Sequence, residues 1–248
     1  MSENDRERIL VDVTIAAPLD EVWRTLRDPK AIGQWFGWDS DTLKDEIDFI
    51  FEQHSVADET RKTIEFGEWE GASHRFEVTA TGSGTRVVLV CSRASWPDDW
   101  QDIYDDITEG WIQFAEQLRF LLERHPNGRR RTLRLSGNAT AGQQLPSTAL
   151  GLGTLRTATP GSSYNAEVVG EAISGIVWHI GRHQLGLAIE TWNDAQLIVV
   201  DRPKSDEVPH GGGALTITTF GLAEAEFAAI GARLRTWWEG RYPIGDQP

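Results

Sequence analysis

The sequence predicts an α+β protein in which an antiparallel sheet is followed by a long helix, and in which this order of elements occurs twice in tandem. Two groups of short segments alternate apolar with polar residues and are separated by turn residues, as antiparallel strands are. A long amphipathic segment follows each group. Residues 125–131, between the halves, combine helix breakers with a run of arginines. A chain of 248 residues suits two modest domains, which we expect at residues 1–126 and 131–248.

The first half opens with a strand and two short helices. Residues 9–15 place an apolar side chain at every odd position, as a half-buried strand does. Pro18 suits the first position of a helix and acidic residues follow it, which favours a helix there. Asp28 and Pro29 repeat this arrangement, and Gly37 is expected to end the second helix.

A meander and a long helix complete the first half. Strands are predicted at residues 47–51, 61–66, 73–80 and 85–92. The sequence Gly82-Ser83-Gly84 separates the last two strands and indicates a hairpin. The helix that follows is indicated by an apolar stripe at Ile107, Trp111, Phe114, Ala115, Leu118, Leu121 and Leu122.

The second half repeats this order. Strands are predicted at residues 132–135, 165–170, 173–180, 184–191, 195–201 and 214–219. A final helix presents one apolar face made of Phe227, Ile230, Leu234 and Trp237. Residues 137–160 are rich in Gly, Ala, Ser and Thr and lack strong caps, so no clear helices are predicted there. The arginines at 129–131 are interpreted as part of a solvated linker.

Composition and charge exclude several classes of partner. The chain carries 24 Lys and Arg against 38 Asp and Glu, and its net charge of −14 repels nucleic-acid phosphates and anionic membranes. No apolar run approaches the roughly 18 to 20 residues that a membrane-spanning helix needs, and the polar N-terminus lacks a secretory pattern. We therefore expect a cytoplasmic protein that neither binds nucleic acid nor inserts into a membrane. Cys91, the only cysteine, excludes an internal disulfide and is interpreted as a buried hydrophobic residue.

Two segments of the first half match a known family in order and spacing. The first is VDVTIAAPLDEVWRTLRDPKAIGQWFG, residues 11–37, and the second is EGWIQFAEQL, residues 109–118, where a Gly-Trp pair precedes the apolar stripe. They resemble the opening and the last helix of bacterial homologues of the heat-shock protein 90 ATPase activator, in the START-like SRPBCC (Bet v-type) superfamily. The resemblance covers residues 9 to 124.

This resemblance implies a helix-grip fold, in which a curved antiparallel sheet wraps around the long C-terminal helix and leaves a cavity between them. Over the second half the likeness is one of element order only, because the Trp-Phe-Gly signature is absent there. We therefore expect the second copy to be degenerate and hypothesise that it is a structural cap without a cavity. The separate chaperone-binding domain of the eukaryotic activators has no counterpart in this sequence.

Eight side chains of the first half are candidates for ligand binding. Large aromatic rings suit the wall of an apolar pocket, and they suit a packed core equally well. His74 shares its strand parity with Phe76, so its imidazole is expected to point inward as a polar hook or acid–base group. A satisfied or partly exposed histidine is the commoner alternative. The candidates are Trp35, Phe36, Trp38, Trp69, His74, Phe76, Trp111 and Phe114.

Other candidate chemistry is weaker. The acidic side chains between residues 98 and 109 suit a hard cation, but at the start of a helix a solvated face is the favoured interpretation. His179 and His183 have the spacing of a helical metal site, yet they lie in strand and turn sequence. No serine elbow and no partnered cysteine supports covalent catalysis. No metal and no cofactor is expected.

Three functions from different classes are compatible with this sequence. The favoured hypothesis is a protein that binds a small hydrophobic molecule in a cavity between the sheet and the long helix. The first alternative is a chaperone-associated, ATPase activator-like protein that binds its partner through the acidic surface of the first half. The second alternative is a cyclase- or hydrolase-type enzyme of the superfamily, with a polar group such as His74 deep in the pocket. The sequence favours a binding protein over an enzyme.

Overall fold

The structure, a computed structural model, describes residues 7–69, 71–93 and 101–244; the side chains of Trp69 and of residues 101–106 lie outside this description. The chain forms two compact units that divide after Asn127, and each unit is described by itself. Within the described residues, no helix has both the length and the apolar character that crossing a membrane requires.

The first unit is a five-stranded antiparallel sheet with strand order β1-β5-β4-β3-β2. The first strand therefore pairs with the last, and the remaining strands follow as a meander. The helix α4 comes after the last strand and packs against β1. The elements are β1 (Glu7–Ile15), α1 (Leu19–Thr25), α2 (Pro29–Ile32), α3 (Leu43–Ile47), a π-helical segment (Asp48–Gln53), β2 (Ser55–Asp58), β3 (Thr63–Trp69), β4 (Ala72–Thr81), β5 (Gly84–Arg93) and α4 (Gln101–Arg124).

The alternation of β4 determines which side chains face the interior of this unit. Phe76 and Val78 are buried on one face, and His74 shares their parity. On the opposite face Arg75 forms an ion pair with Glu77, at 2.7 Å between Nη2 and Oε1. The predicted inward direction of His74 is therefore the direction that the structure shows.

The predicted strand at residues 47–51 is wrong, because this segment continues α3 into the π-helical segment. Buried side chains recur four residues apart, at Ile47 and Phe51, as on one face of a helix. Phe49, which strand parity would bury together with them, is 41% exposed. An apolar run this short fits both periods, so its sequence alone does not distinguish a strand from a helix.

The hairpin between β4 and β5 confirms the predicted turn, and its close backbone packing favours glycine at position 84. Gly84 has a φ of +147°, and a Cβ added there would lie 2.1 Å from the carbonyl oxygen of Ile15. We expect Gly84→Ala to lower the free energy of unfolding of the first unit by about 2 to 4 kcal/mol, because backbone atoms must move. Gly82→Ala, in the same turn with no atom within 4 Å, is the matched control. Equal effects of the two substitutions in denaturant unfolding would contradict this packing.

The second unit is a six-stranded antiparallel sheet with strand order β6-β11-β10-β9-β8-β7. Its strand boundaries lie within a few residues of the predicted ones. The elements are β6 (Arg130–Asn138), α5 (Pro146–Ala149), a 3₁₀ helix (Gly153–Thr157), β7 (Ser163–Val168), β8 (Glu171–Ile180), β9 (Gln184–Ile189), a second 3₁₀ helix (Glu190–Trp192), β10 (Ala195–Arg202), β11 (Gly212–Phe220) and α6 (Glu224–Glu239).

The two units share one topology. In each, the first strand pairs with the last, the other strands follow in reverse order, and a helix comes directly after the last strand. Helical segments separate the first and second strands in both units. The chain is therefore an α+β protein with two tandem copies of the helix-grip arrangement, as predicted. The second copy has one more strand and a shorter final helix than the first.

The interpretation of the arginine run as a solvated linker is wrong for two of its members, because β6 begins at Arg130. Arg130 pairs with Phe220 of β11 and is only 4% exposed. Arg131 forms an ion pair with Glu224 at the start of α6, and its guanidinium lies 4.8 Å from the centre of the Phe227 ring. Arg130 is thus buried beside β11, and Arg131 contacts the start of the final helix while it stays partly exposed.

The short helix α5 lies in the stretch where no helix was predicted, and its N-terminus is capped by a distant side chain. The carboxylate of Asp201, in β10, accepts hydrogen bonds from the backbone N–H of Ser147 at 2.8 Å and from its hydroxyl at 2.5 Å. This satisfies donors that a local cap residue would otherwise satisfy. A cap supplied from 54 residues away leaves no local signal in the sequence.

An apolar core packs between the sheet of the second unit and α6. The helix contributes Ile230, Leu234 and Trp238, all buried. Trp237, which was predicted to share this face, is half-buried at its edge. The sheet contributes Leu133, Leu135, Val177, Leu185, Leu187, Ile189, Leu197, Val199, Leu215 and Ile217.

Candidate ligand-binding site

Aromatic rings from the helical segments, the sheet and α4 meet in the first unit. Each ring lies 4.8 to 6.3 Å, centre to centre, from at least one other member of the group. Most pairs are tilted or edge-to-face, the arrangements that aromatic quadrupoles favour. We call this group the aromatic cluster; its members are Trp35, Phe36, Trp38, Phe51, Phe66, Phe76, Trp111 and Phe114.

The loop after α2 supplies three rings to the cluster and is held by α4. The amide of Gln117 donates to the carbonyl oxygens of Trp35, at 2.9 Å, and of Gly37, at 3.3 Å. The indole N–H of Trp35 donates to the carbonyl of Thr25 at 3.0 Å. Gly37, between the cluster members Phe36 and Trp38, adopts a φ of +61°, which is costly for residues other than glycine.

Trp111 on α4 lies at the centre of the cluster. Its ring contacts Phe36 at 6.0 Å, Phe76 at 5.7 Å and Phe114 at 5.9 Å. Phe36 and Phe76 are buried, whereas Trp111, Phe114 and Trp38 are only half-buried. One side of the cluster therefore belongs to the core, and the other side is reachable from solvent.

His74 places an imidazole against this half-buried side. It lies between Phe66 of β3 and Cys91 of β5 in the sheet, and its ring centre is 6.2 Å from that of Trp111. Burial lowers the pKa of His74 below its usual value, so the ring is neutral near pH 7. Its Nε2 atom is buried and has no hydrogen-bond partner among the described residues. An unsatisfied buried polar atom costs roughly 1 to 3 kcal/mol, which a hydrogen-bonding ligand would recover.

Cys91 lies directly opposite His74 but is poorly suited to nucleophilic chemistry. Burial raises the pKa of the Cys91 thiol, and this effect outweighs the opposing influence of Arg93 and Arg8. The thiol is therefore protonated near neutral pH, and a thiol is a weak nucleophile. This agrees with the interpretation of Cys91 as a small buried hydrophobic residue.

The helix α4 also buries polar side chains that the sequence analysis did not single out. Glu109, Gln113 and Gln117 recur every four residues, and all three are buried. The interpretation of the acidic run as a solvated face is therefore wrong for Glu109, which is 8% exposed. The other acidic side chains of that run, at residues 98–106, lie outside the described residues. The four-residue spacing of Glu109, Gln113 and Gln117 could have predicted a buried polar face on α4, but the acidic residues that precede Glu109 obscured this pattern.

The structure brings seven of the eight predicted side chains together: six belong to the aromatic cluster, and His74 contacts it. Trp69 ends β3 opposite Ala72, and its side chain lies outside the described residues. Phe51 and Phe66 belong to the cluster but were not predicted as site residues. Phe51 was missed because its segment was assigned to a strand.

His179 and His183, which have the spacing of a helical metal site, lie in β8 and in the bend that follows it, so they do not share a helix face. His179 lies in β8 and is buried, and its Nε2 is 3.2 Å from the side-chain oxygen of Gln184. Within the described residues, no group of three or more His, Cys, Asp or Glu side chains is placed to hold a metal ion.

No protein-family model and no curated protein matches this chain. Among solved structures, the chain is similar to protein MLL2253 from Mesorhizobium loti, with 22% identity and a TM-score of 0.36, over 48% of this chain and 98% of that one. It is also similar to DynU16, a putative protein of the dynemicin biosynthetic locus, with 16% identity, a TM-score of 0.32 and coverage of 94% and 95%. A third is the di-domain ARO/CYC StfQ from the steffimycin biosynthetic pathway, with 9% identity, a TM-score of 0.34 and coverage of 93% and 91%. These scores are too low to carry an inference about function.

Proposed function

We propose that the first unit binds a small, largely apolar molecule against the half-buried side of the aromatic cluster, between the sheet and α4. The observation that carries this proposal is the Nε2 atom of His74, which is buried without a partner among the described residues and lies beside the accessible ring of Trp111. Apolar walls with one or two polar groups are what small-molecule sites usually contain.

The surroundings of His74 indicate the chemistry of the ligand. Trp38, Trp111 and Phe114 are half-buried, so a flat apolar body can cover rings that are now partly hydrated. The imidazole is neutral and offers one donor and one acceptor, which a hydroxyl group can meet in either tautomer. A neutral phenol-like molecule therefore fits these groups better than a charged one.

Binding of 2-naphthol, a neutral aromatic alcohol, tests this proposal. We expect native mass spectrometry of the purified protein to show either a retained apolar compound or saturable one-to-one binding of added 2-naphthol. Isothermal calorimetry would supply the dissociation constant. If neither 2-naphthol nor a panel of neutral aromatic compounds binds saturably, the proposal fails.

The substitution His74→Phe is expected to separate binding from stability. It keeps a ring of similar size but removes the nitrogen, so 2-naphthol should bind about three- to tenfold more weakly. The unliganded protein should be as stable as the wild type or more so, because a buried unsatisfied atom is removed. The exposed His210 offers the control His210→Phe, which should change neither quantity. Unchanged 2-naphthol affinity in His74→Phe would contradict the assigned role.

The lowered pKa of His74 also predicts how stability depends on pH. Burial disfavours the protonated ring in the folded state, whereas the unfolded chain protonates near the ordinary value of 6.5. The contribution of the neutral His74 ring to the free energy of unfolding is thus fully present above pH 6.5. It is lost as the pH falls through the lower pKa of the folded state. We expect wild type to lose stability relative to His74→Phe between pH 7.5 and 5, measured by urea unfolding. A constant difference between the two proteins over this range would contradict the burial of a neutral imidazole.

Acid–base catalysis on the bound molecule is a second candidate function, which the neutral, buried imidazole favours. In that case, a compound that copurifies with His74→Gln should be converted to a different species on incubation with wild type, as separated by liquid chromatography. It should stay unchanged on further incubation with His74→Gln, which retains a hydrogen-bonding amide but carries no titratable proton. Recovery of the same compound from both proteins would favour binding alone.

A further inference from the structure

A surface groove lies in the second unit, between the turn that joins β7 to β8 and one side of α6. It is shallow and largely open to solvent, with a volume of about 540 Å³. The function proposed for the first unit does not use this groove. Its lining is Val169, Ala232, Arg233, Thr236, Trp237 and Arg241.

Arg241 and Trp237 form a stacked pair at one end of the groove. The guanidinium carbon lies 4.7 Å from the centre of the indole ring, and Nη1 donates to the Trp237 carbonyl at 3.0 Å. No carboxylate among the described residues forms an ion pair with Arg241. The groove therefore contains a positive charge without a counter-ion within the described chain, on a protein whose net charge is −14.

Arg233 supplies a second guanidinium, one turn of α6 earlier than Trp237. Glu171 forms an ion pair with it and also accepts the indole N–H of Trp192 at 2.9 Å. These contacts fix the position of the guanidinium. Its Nε atom is buried and has no acceptor among the described residues, so one donor of the group is unused.

Val169 forms part of the wall of the groove in a strained conformation. Its φ is +50°, a value that a β-branched residue rarely adopts. Val168 and Glu171 pair with each other, so Val169 and Gly170 form the two-residue turn between them. Asn or Gly at position 169 would relieve the strain. Strain of this kind concentrates at ligand sites. The valine adds an apolar surface that neither Asn nor Gly would provide.

We infer that this groove binds a small aromatic carboxylate. Its flat body would lie against Val169 and the edge of Trp237, and its carboxylate would accept hydrogen bonds from Arg241 and Arg233. Guanidinium groups hold carboxylates in two-point geometry, and such charge-assisted bonds are stronger than neutral ones. The charge of Arg241, which has no counter-ion among the described residues, favours an anion, in contrast to the neutral ligand proposed for the first unit.

Indole N–H spectra of protein with ¹⁵N-labelled tryptophan test this inference, with 2-naphthoate as the probe. The signals of Trp237 and Trp111 are assigned from Trp237→Phe and Trp111→Phe. Saturable movement of the Trp237 signal places 2-naphthoate in the groove, whereas movement of the Trp111 signal reports the aromatic cluster. We expect the Trp237 signal to move with 2-naphthoate and to move at least tenfold less readily with neutral 2-naphthol.

Arg241→Gln should weaken 2-naphthoate binding about tenfold, because a charge-assisted hydrogen bond is lost. Arg235→Gln, an exposed position on the same helix and outside the lining, is the matched control and should have no effect. The inference is overturned if 2-naphthoate leaves the Trp237 signal unmoved, or if the two substitutions weaken binding equally. Neither outcome bears on binding of 2-naphthol by the first unit.

Discussion

Replacing Trp35 with alanine should lower the free energy of unfolding of the first unit by about 3 to 5 kcal/mol. The side chain is only 1% exposed, and its ring contacts Phe36 at 6.0 Å and Phe51 at 5.9 Å. Its indole N–H donates to the carbonyl of Thr25, so the substitution removes a hydrogen bond as well as a large apolar volume. Hydrogen exchange of the β4 and β5 amides measures this change within the first unit alone.

Trp35→Phe is the matched control for the apolar contribution. It retains an aromatic ring and loses mainly the hydrogen bond to Thr25, which should cost about 1 to 2 kcal/mol. Such a result would show that Trp35 packs as a structural member of the cluster. A cost below about 1 kcal/mol for Trp35→Ala would show that the cluster is not a packed core at this position.

Trp111→Leu is expected to weaken 2-naphthol binding about 10- to 100-fold. Trp111 touches both the buried rings, such as Phe76, and the imidazole of His74, and its own ring remains half-buried. A ligand that covers this ring gains burial of apolar area and an aromatic pair, together about 1.4 to 2.7 kcal/mol. Leucine preserves helix propensity and apolar character but not the ring. Calorimetric titration of the two proteins measures the difference.

Trp23→Phe is the control for this substitution. Trp23 belongs to the same unit, but its indole N–H donates to Glu59 at 2.7 Å and Lys62 lies 5.0 Å from its ring centre. None of its ring contacts among the described residues is to the aromatic cluster. Trp23→Phe should therefore leave 2-naphthol affinity unchanged. Equal loss of affinity in both proteins would mean that the effect of Trp111→Leu is general and not local.

Local patterns predicted most of the strands, because strand parity and turn residues act over a few positions. The strands of the second unit follow their alternating apolar runs, and Gly82-Ser83-Gly84 forms the predicted hairpin. The repeated order of elements predicted the shared topology. The inward direction of His74 followed from its parity with Phe76, without any knowledge of its neighbours.

Features that depend on distant partners could not be predicted. Asp201 of β10 caps the helix α5 from a distant part of the chain, so residues 137–160 contain no local sequence pattern that predicts a helix. Arg130 is buried by pairing with β11, although its charged neighbours suggested solvent. The segment at residues 47–51 fits either a strand or a helix, and the packing of Phe51 against the cluster decides it. The Nε2 atom of His74, which has no partner among the described residues, likewise depends on distant parts of the fold.

The most direct test of ligand binding in the first unit is the set of intermolecular nuclear Overhauser effects between 2-naphthol and the protein. Binding as proposed gives contacts from the naphthalene protons to the rings of Trp111, Phe114 and His74, and none to Trp237 of the second unit. Saturable binding whose contacts all lie away from Trp111 and His74 would contradict the proposed site.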